Sequence, residues 1–137
     1  KIKKIQGYVM NDWDKYAIHI IEPIITIFKS FPKSINSISE EKDSFIIKLE
    51  NGQSFQIDSL GKVPKTFQIE IRGELLKTSV EIIDNFTAFR RTIWEFIEMV
   101  KSKKPPINAD ETINMMKVII AAKISKSQQR EVLVSEV

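Results

Sequence analysis

Ser44-Phe45-Ile46-Ile47-Lys48-Leu49-Glu50-Asn51-Gly52-Gln53-Ser54-Phe55-Gln56-Ile57-Asp58 is the stretch on which the fold turns. Phe45, Ile47 and Leu49 alternate with Ser44, Lys48 and Glu50, and only Ile46 puts an apolar group on the polar side. Successive strand side chains point to opposite faces, so this period of two predicts a strand with one face buried. Asn51-Gly52 predicts a type I′ hairpin turn, because both central residues of that turn need positive φ. The return strand alternates Phe55 and Ile57 with Ser54, Gln56 and Asp58.

The same period extends on both sides, from Ser34 to Ile83. Beyond Gly61 and Pro64, Phe67, Ile69 and Ile71 alternate with Gln68, Glu70 and Arg72 up to Gly73. Leu76, Thr78, Val80 and Ile82 then oppose Lys77, Ser79 and Glu81. A meander of four or five antiparallel strands is expected, apolar on one face and polar on the other. Ahead of it, Ile2, Ile5, Tyr8 and Val9 mark a short strand, and Asn11, Asp12 and Asp14 supply the turn and cap chemistry that starts a helix. From Lys15 to Lys29 apolar residues nearly encircle that helix, leaving Lys15, His19, Glu22, Thr26 and Lys29 as one narrow polar stripe. Pro23 has no N–H for the carbonyl of His19, so a bend is expected there.

Two helices follow the strands. Asp84 caps the first, in which Phe86, Phe89, Ile93, Ile97 and Val100 recur at helical spacing, with Trp94 off that stripe and read as filling a second core layer. Asn108 and Glu111 have the spacing of a capping box for the second, and Glu131 to Val134 read as a last short strand. Helices and strands are segregated along the chain. The expected fold class is α+β, a single two-layer domain over residues 1–137 with helices on one face of a mostly antiparallel sheet.

Composition removes many functions. A chain of 137 residues and 15.8 kDa buries roughly two-thirds of its surface on folding, with a folded surface of about 7,300 Å². With no cysteine and one histidine there is no disulfide framework, thiolate cluster or zinc-finger ligand set, which fits a cytoplasmic protein. Four isolated glycines exclude a dinucleotide fingerprint or a Walker loop. A net charge of +3, carried by scattered lysines with only Arg72, Arg90, Arg91 and Arg130 as arginines, does not favour nucleic acid. No apolar run reaches the ~20 residues that cross a bilayer. The chain opens on Lys1, and it is expected to be cut from something longer.

The stripe holds the candidate chemistry. Lys15 and His19, one helical turn apart, can jointly grip an oxygen substituent, and the imidazole can take a proton from a hydroxyl. The alternative is that these residues are simply the wet side of an amphipathic helix. Trp13 and Tyr16 at the helix entrance wall a pocket that stacks on a sugar ring, or staple the helix start to the sheet. Asp12 and Asp14 read as capping residues ahead of a carboxylate metal site, and no metal is expected. The lysines at 101, 103 and 104 suit a helix C-terminus better than a phosphate. The polar sheet face is either solvated or meets a partner.

Trp13-Asp14-Lys15-Tyr16-Ala17-Ile18-His19-Ile20-Ile21-Glu22-Pro23 resembles the helix that opens the substrate side of the glucose-fructose oxidoreductase, inositol dehydrogenase and MocA (Gfo/Idh/MocA) family. Phe67 to Gly73 is similar to the strand and glycine midway through that family's C-terminal domain. Phe96 to Val100, with Lys104-Pro105-Pro106, resembles its penultimate helix, and Glu111 through Ser125 to Val134 its closing helix and strand. The resemblance covers most of the chain in order. It implies the C-terminal, substrate-binding and oligomerisation half of an NAD- or NADP-dependent oxidoreductase acting on a sugar, cyclitol or related hydroxyl compound. An N-terminal Rossmann domain of the same protein would hold the cofactor, and this chain alone would bind none and not turn over. By the resemblance His19 is the catalytic residue, and Lys15, where many members carry an aspartate, binds substrate; Trp13 and Tyr16 are the further substrate-binding candidates from the helix entrance. The sheet commonly builds a homo-oligomer. A stand-alone interaction module or a non-redox sugar-binding domain of the same fold is the alternative.

Overall fold

The computed structural model describes residues 2–137. One seven-stranded sheet carries the fold: β1 (Ile2–Val9), β2 (Pro32–Ser37), β3 (Ser44–Leu49), β4 (Ser54–Ser59), β5 (Phe67–Gly73), β6 (Lys77–Glu81) and β7 (Val132–Leu133). Its helices are α1 (Trp13–Tyr16), α2 (Ile18–Phe28), α3 (Asn85–Ser102) and α4 (Ala109–Gln128), with a 3-10 turn over Val134–Glu136 at the end. The class is α+β, as the segregation of periods predicts.

The strands do not form a plain meander. The sheet order is β6-β5-β1-β4-β3-β2-β7, so β1 lies between β4 and β5, parallel to the first and antiparallel to the second. β1 supplies Ile5, Gly7 and Val9 to the core face and thereby joins two antiparallel sets whose own turn chemistry would leave them side by side. The 49–53 turn also differs from the type I′ expectation. Gly52 has φ +81 while Asn51 is not among the residues of positive φ, and the N–H of Gly52 donates to the carbonyl of Leu49 at 3.0 Å. With Leu49 N–H donating to Gln53 O at 2.8 Å, this is a three-residue loop, a tight turn followed by a left-handed glycine. Asn51 is held out of the left-handed region by its side chain, which accepts from the N–H of Gln53 at 3.0 Å, while its own N–H donates to Ser30.

The core lies between the sheet's apolar face and the helices: Phe45, Ile47, Phe55 and Ile57 from the strands against Ile20, Ile21 and Ile24 of α2 and Val118, Ala121 and Ala122 of α4. Gly7 marks the closest approach of helix to sheet, because a Cβ there would stand 2.3 Å from Cγ2 of Ile20. α3 is different. It is capped as expected, the Asp84 carboxylate accepting from Thr87 N–H at 2.9 Å, a bond that also lowers the pKa of that carboxylate. Yet none of its residues is buried, and Trp94, 63% exposed, fills no core layer. At the start of α4 the Asn108 side chain accepts from Asp110 N–H at 3.0 Å, one residue earlier than the capping box expects.

Candidate functional site

The predicted helix of residues 15–29 is two helices. Ala17 N–H donates to Trp13 O, and the amides of Ile20 and Ile21 both donate to the carbonyl of Ala17 at 3.0 Å. The interruption falls at Ala17, whereas α2 runs on through Pro23. All five stripe residues are exposed, but Lys15 belongs to α1 and the other four to α2 or its end. Lys15 and His19 therefore do not share one continuous helical face.

His19 sits in an aromatic corner. Its ring lies edge-on to Phe67, centroids 5.2 Å apart at 80°, and 6.4 Å from the ring of Tyr16, which is itself 6.1 Å from Phe67. These rings wall a cleft of about 430 Å³ completed by Met10, Glu22, Lys65, Ile82, Asn85 and Ala88. The cleft forms at one end of the sheet because three chain crossings are tied there: Met10 N–H donates to Thr66 O at 3.0 Å, Ile82 N–H to Phe67 O at 2.8 Å, and the Lys65 ammonium to Ile83 O at 3.4 Å. Apolar walls with a few convergent polar heads are the ordinary make-up of a small-molecule site. An imidazole, a carboxylate, an ammonium, a phenol and an amide reach it, which suits a compound bearing several hydroxyl groups.

The structure brings Tyr16 and His19 together and leaves Lys15 exposed outside the cleft walls. Trp13 is corrected from substrate wall to core: its ring lies 4.3 Å from that of Phe45 and its indole N–H donates to Ile119 O at 3.4 Å, so it staples α1 to the body. Phe67, Lys65 and Asn85 were not singled out in the sequence, since they come from two segments far from His19 along the chain and only Phe67 had any pattern, that of a strand. A larger hollow of about 620 Å³ lies near Asp12, Asp43 and Asp58, and the last two of these carboxylates are engaged. Asp58 accepts from Gln6, Ser44 and Gln56, and Asp43 pairs with Lys126 at 2.8 Å. Among the described residues no group of three or more His, Asp or Glu side chains is placed to hold a metal.

No protein-family model and no curated protein matches this sequence. Solved structures do. A candidate NADPH-dependent oxidoreductase from Desulfitobacterium hafniense superimposes with a TM-score of 0.78 at 12% identity, over 99% of this chain and 57% of its own. Scyllo-inositol dehydrogenase from Lactobacillus casei with bound NAD(H) and scyllo-inositol gives 0.76 at 11%, over 98% and 57%. Myo-inositol dehydrogenase from the same organism, in complex with NAD(H) and myo-inositol, gives 0.74 at 16%, over 96% and 53%. The chain shares its fold with Gfo/Idh/MocA-type dehydrogenases. It spans little more than half the length of these proteins, so the Gfo/Idh/MocA fold is established here and the activity is not carried with it. Among the described residues no helix is long and apolar enough to cross a membrane.

The dinucleotide of those enzymes does not fit the residues of this chain by itself. Gly7 is packed beneath α2 and Gly52 and Gly61 are single turn residues, so among the described residues no glycine-rich run of open amides cradles a pyrophosphate.

Proposed function

We propose that this chain is the substrate-binding half of an NAD(P)-dependent oxidoreductase acting on a sugar, cyclitol or related hydroxyl compound, and that it works with an N-terminal Rossmann domain of the same cytoplasmic protein. The observation that carries the reading is the position of His19. The only histidine of the chain stands exposed, with Tyr16 and Phe67 about it, in a cleft of polyol size on the fold of inositol dehydrogenases. The hydride acceptor would be supplied by the cofactor domain. His19 takes the proton of the substrate hydroxyl as the carbinol carbon gives up hydride, while Tyr16, Glu22, Lys65 and Asn85 hold the neighbouring hydroxyls. Lys15 binds substrate only at the cleft's outer margin. A homo-oligomer forms through the polar face of the sheet.

The test is His19→Ala in the complete protein, assayed for nicotinamide reduction across a panel of polyols. Loss of a general base lowers the rate about 10²–10⁴-fold, and because the ring is exposed the variant keeps its thermal midpoint. An undiminished rate removes His19 from the chemistry. The alternative, a stand-alone interaction module, has one observation in its favour, the half-buried polar sheet face, and predicts no turnover with or without His19.

A further inference from the structure

The polar row on α2 continues past the His19 cleft. Glu22, one turn beyond His19, is a wall of that cleft and also of a second hollow of about 510 Å³. His19, Glu22, Thr26 and Lys29 recur at steps of three, four and three, so one exposed face of α2 and its C-cap runs along both hollows. From His19 to Thr26 the helix rises ~10 Å, the length of two linked sugar rings. Each hollow is of small-ligand size, and the two together reach the upper end of that range, more than a single polyol ring fills.

The second hollow rests on a pinned turn. α2 ends where Lys29 takes φ +46, its N–H donating to Ile25 O at 2.8 Å. The hydroxyl of buried Ser30 accepts from Asn51 N–H at 3.1 Å, and Phe31 O accepts from Glu50 N–H at 2.9 Å. Three consecutive residues are thus tied to the helix or to the turn after β3, yet the Phe31 side chain stays 40% exposed and lines the hollow with Ile107 and Met115. A fixed aromatic face of this kind receives the C–H face of a sugar ring. Glu22, Lys29 and Glu111 also reach the hollow, and among the described residues no ion pair engages them. Carboxylates accept from ring hydroxyls and an ammonium donates to them. Two carboxylates against one ammonium repel a phosphate or nucleotide and favour a neutral ring.

We infer that the two hollows are one groove for a glycoside of two sugar rings, the ring to be oxidised at His19 and its neighbour over Phe31; the inference rests on the dehydrogenase reading above for the chemistry at the first ring. Glu22 stands at the junction, within reach of hydroxyls on both sides of the glycosidic bond. A single-ring polyol would leave the second hollow to water.

The test compares glucose, galactose and mannose with maltose, cellobiose, lactose and mannobiose in the complete protein, by nicotinamide reduction and by saturation-transfer NMR read on each ring. One hydrogen bond from a charged group to the second ring is expected to raise kcat/KM about tenfold or more over the matching monosaccharide, and part of the gain should lie in kcat, because remote binding energy acts at the reacting centre. The disaccharide-to-monosaccharide ratio should fall about tenfold in Phe31→Ala, and also in Ile107→Ala from the α3–α4 loop; both side chains are exposed, so the fold stands. Turnover in which no disaccharide exceeds its monosaccharide overturns the groove and leaves the dehydrogenase, and a ratio that neither variant moves does the same. Saturation of both rings, lost in Phe31→Ala, in a protein that reduces no nicotinamide sinks the dehydrogenase reading and leaves the two-ring groove. Saturation confined to one ring overturns the groove.

Discussion

Gly7 lies where β1 passes beneath α2, and a methyl group there would meet Cγ2 of Ile20 at 2.3 Å. Neither partner has room to yield: Ile20 is fully buried and the backbone of β1 is paired on both sides. Gly7→Ala should therefore lower stability by about 1–3 kcal/mol, read from the urea midpoint, because overpacking must push α2 off the sheet. Ile20 follows His19 in sequence, so the same push moves the imidazole, and turnover should fall more than the stability loss explains. Nothing in the sequence marks this glycine, since a tight approach between distant segments has no local signature. The opposite holds for Trp13. Its two readings, pocket wall and staple, rest on the same local facts, and only the contact with Phe45 and Ile119 chooses the staple. His19 was legible because a lone titratable ring on a polar stripe is a local pattern, while Phe67 and Lys65 belong to its cleft only through the fold.

At the level of elements, local chemistry set most boundaries and missed where a backbone bond competes. The break at Ala17 and the three-residue loop at Gly52 both follow from hydrogen bonds that side-chain periodicity does not report. β7 depends on a side chain as well. It pairs with β2 at two positions only, and Glu131 at its start accepts from the hydroxyl of buried Ser34 and pairs with Lys48 at 3.0 Å. The Ser34 hydrogen bond first, and Lys48 second, hold the Glu131 carboxyl below its ordinary value. A depressed acid stabilises the fold above its unfolded pKa and ceases to as pH falls through the folded one. Acidification below the ordinary glutamate range should thus loosen β7 first, seen as faster amide exchange at Val132 than at β3 or β4 once intrinsic rates are corrected. Glu131→Gln should flatten that dependence. Amide exchange at Val132 that rises only in step with global unfolding would separate Glu131 from the strand's hold.

For the whole molecule, the alternation of apolar and polar residues foretold two faces of a sheet but not the order of its strands, because insertion of β1 between β4 and β5 is a pairing across about fifty residues that periodicity cannot encode. That insertion shapes the outer face. It sets Gln6 and Tyr8 beside Gln56, Asp58, Gln68 and Glu70, with the Gln6 amide donating to the Asp58 carboxylate across strands and the Gln56 amide donating to it within β4. Burial, then the charges of Glu70 and Asp58, raise the pKa of the Tyr8 phenol, so this face carries no phenolate at neutral pH. With the Asp58 carboxylate already paired to the Gln6 and Gln56 amides, the face loses less hydration on meeting a like face, and half-buried Ile46 stands on it between Asn36 and Gln56. A homo-oligomer built through it places Ile46 in the seam, where a cation would meet a dry surface and, near the two-fold, its own copy. Ile46→Lys should dissociate the proposed oligomer in sedimentation velocity. An unchanged sedimentation coefficient would move the subunit contact away from the sheet and return that face to solvent.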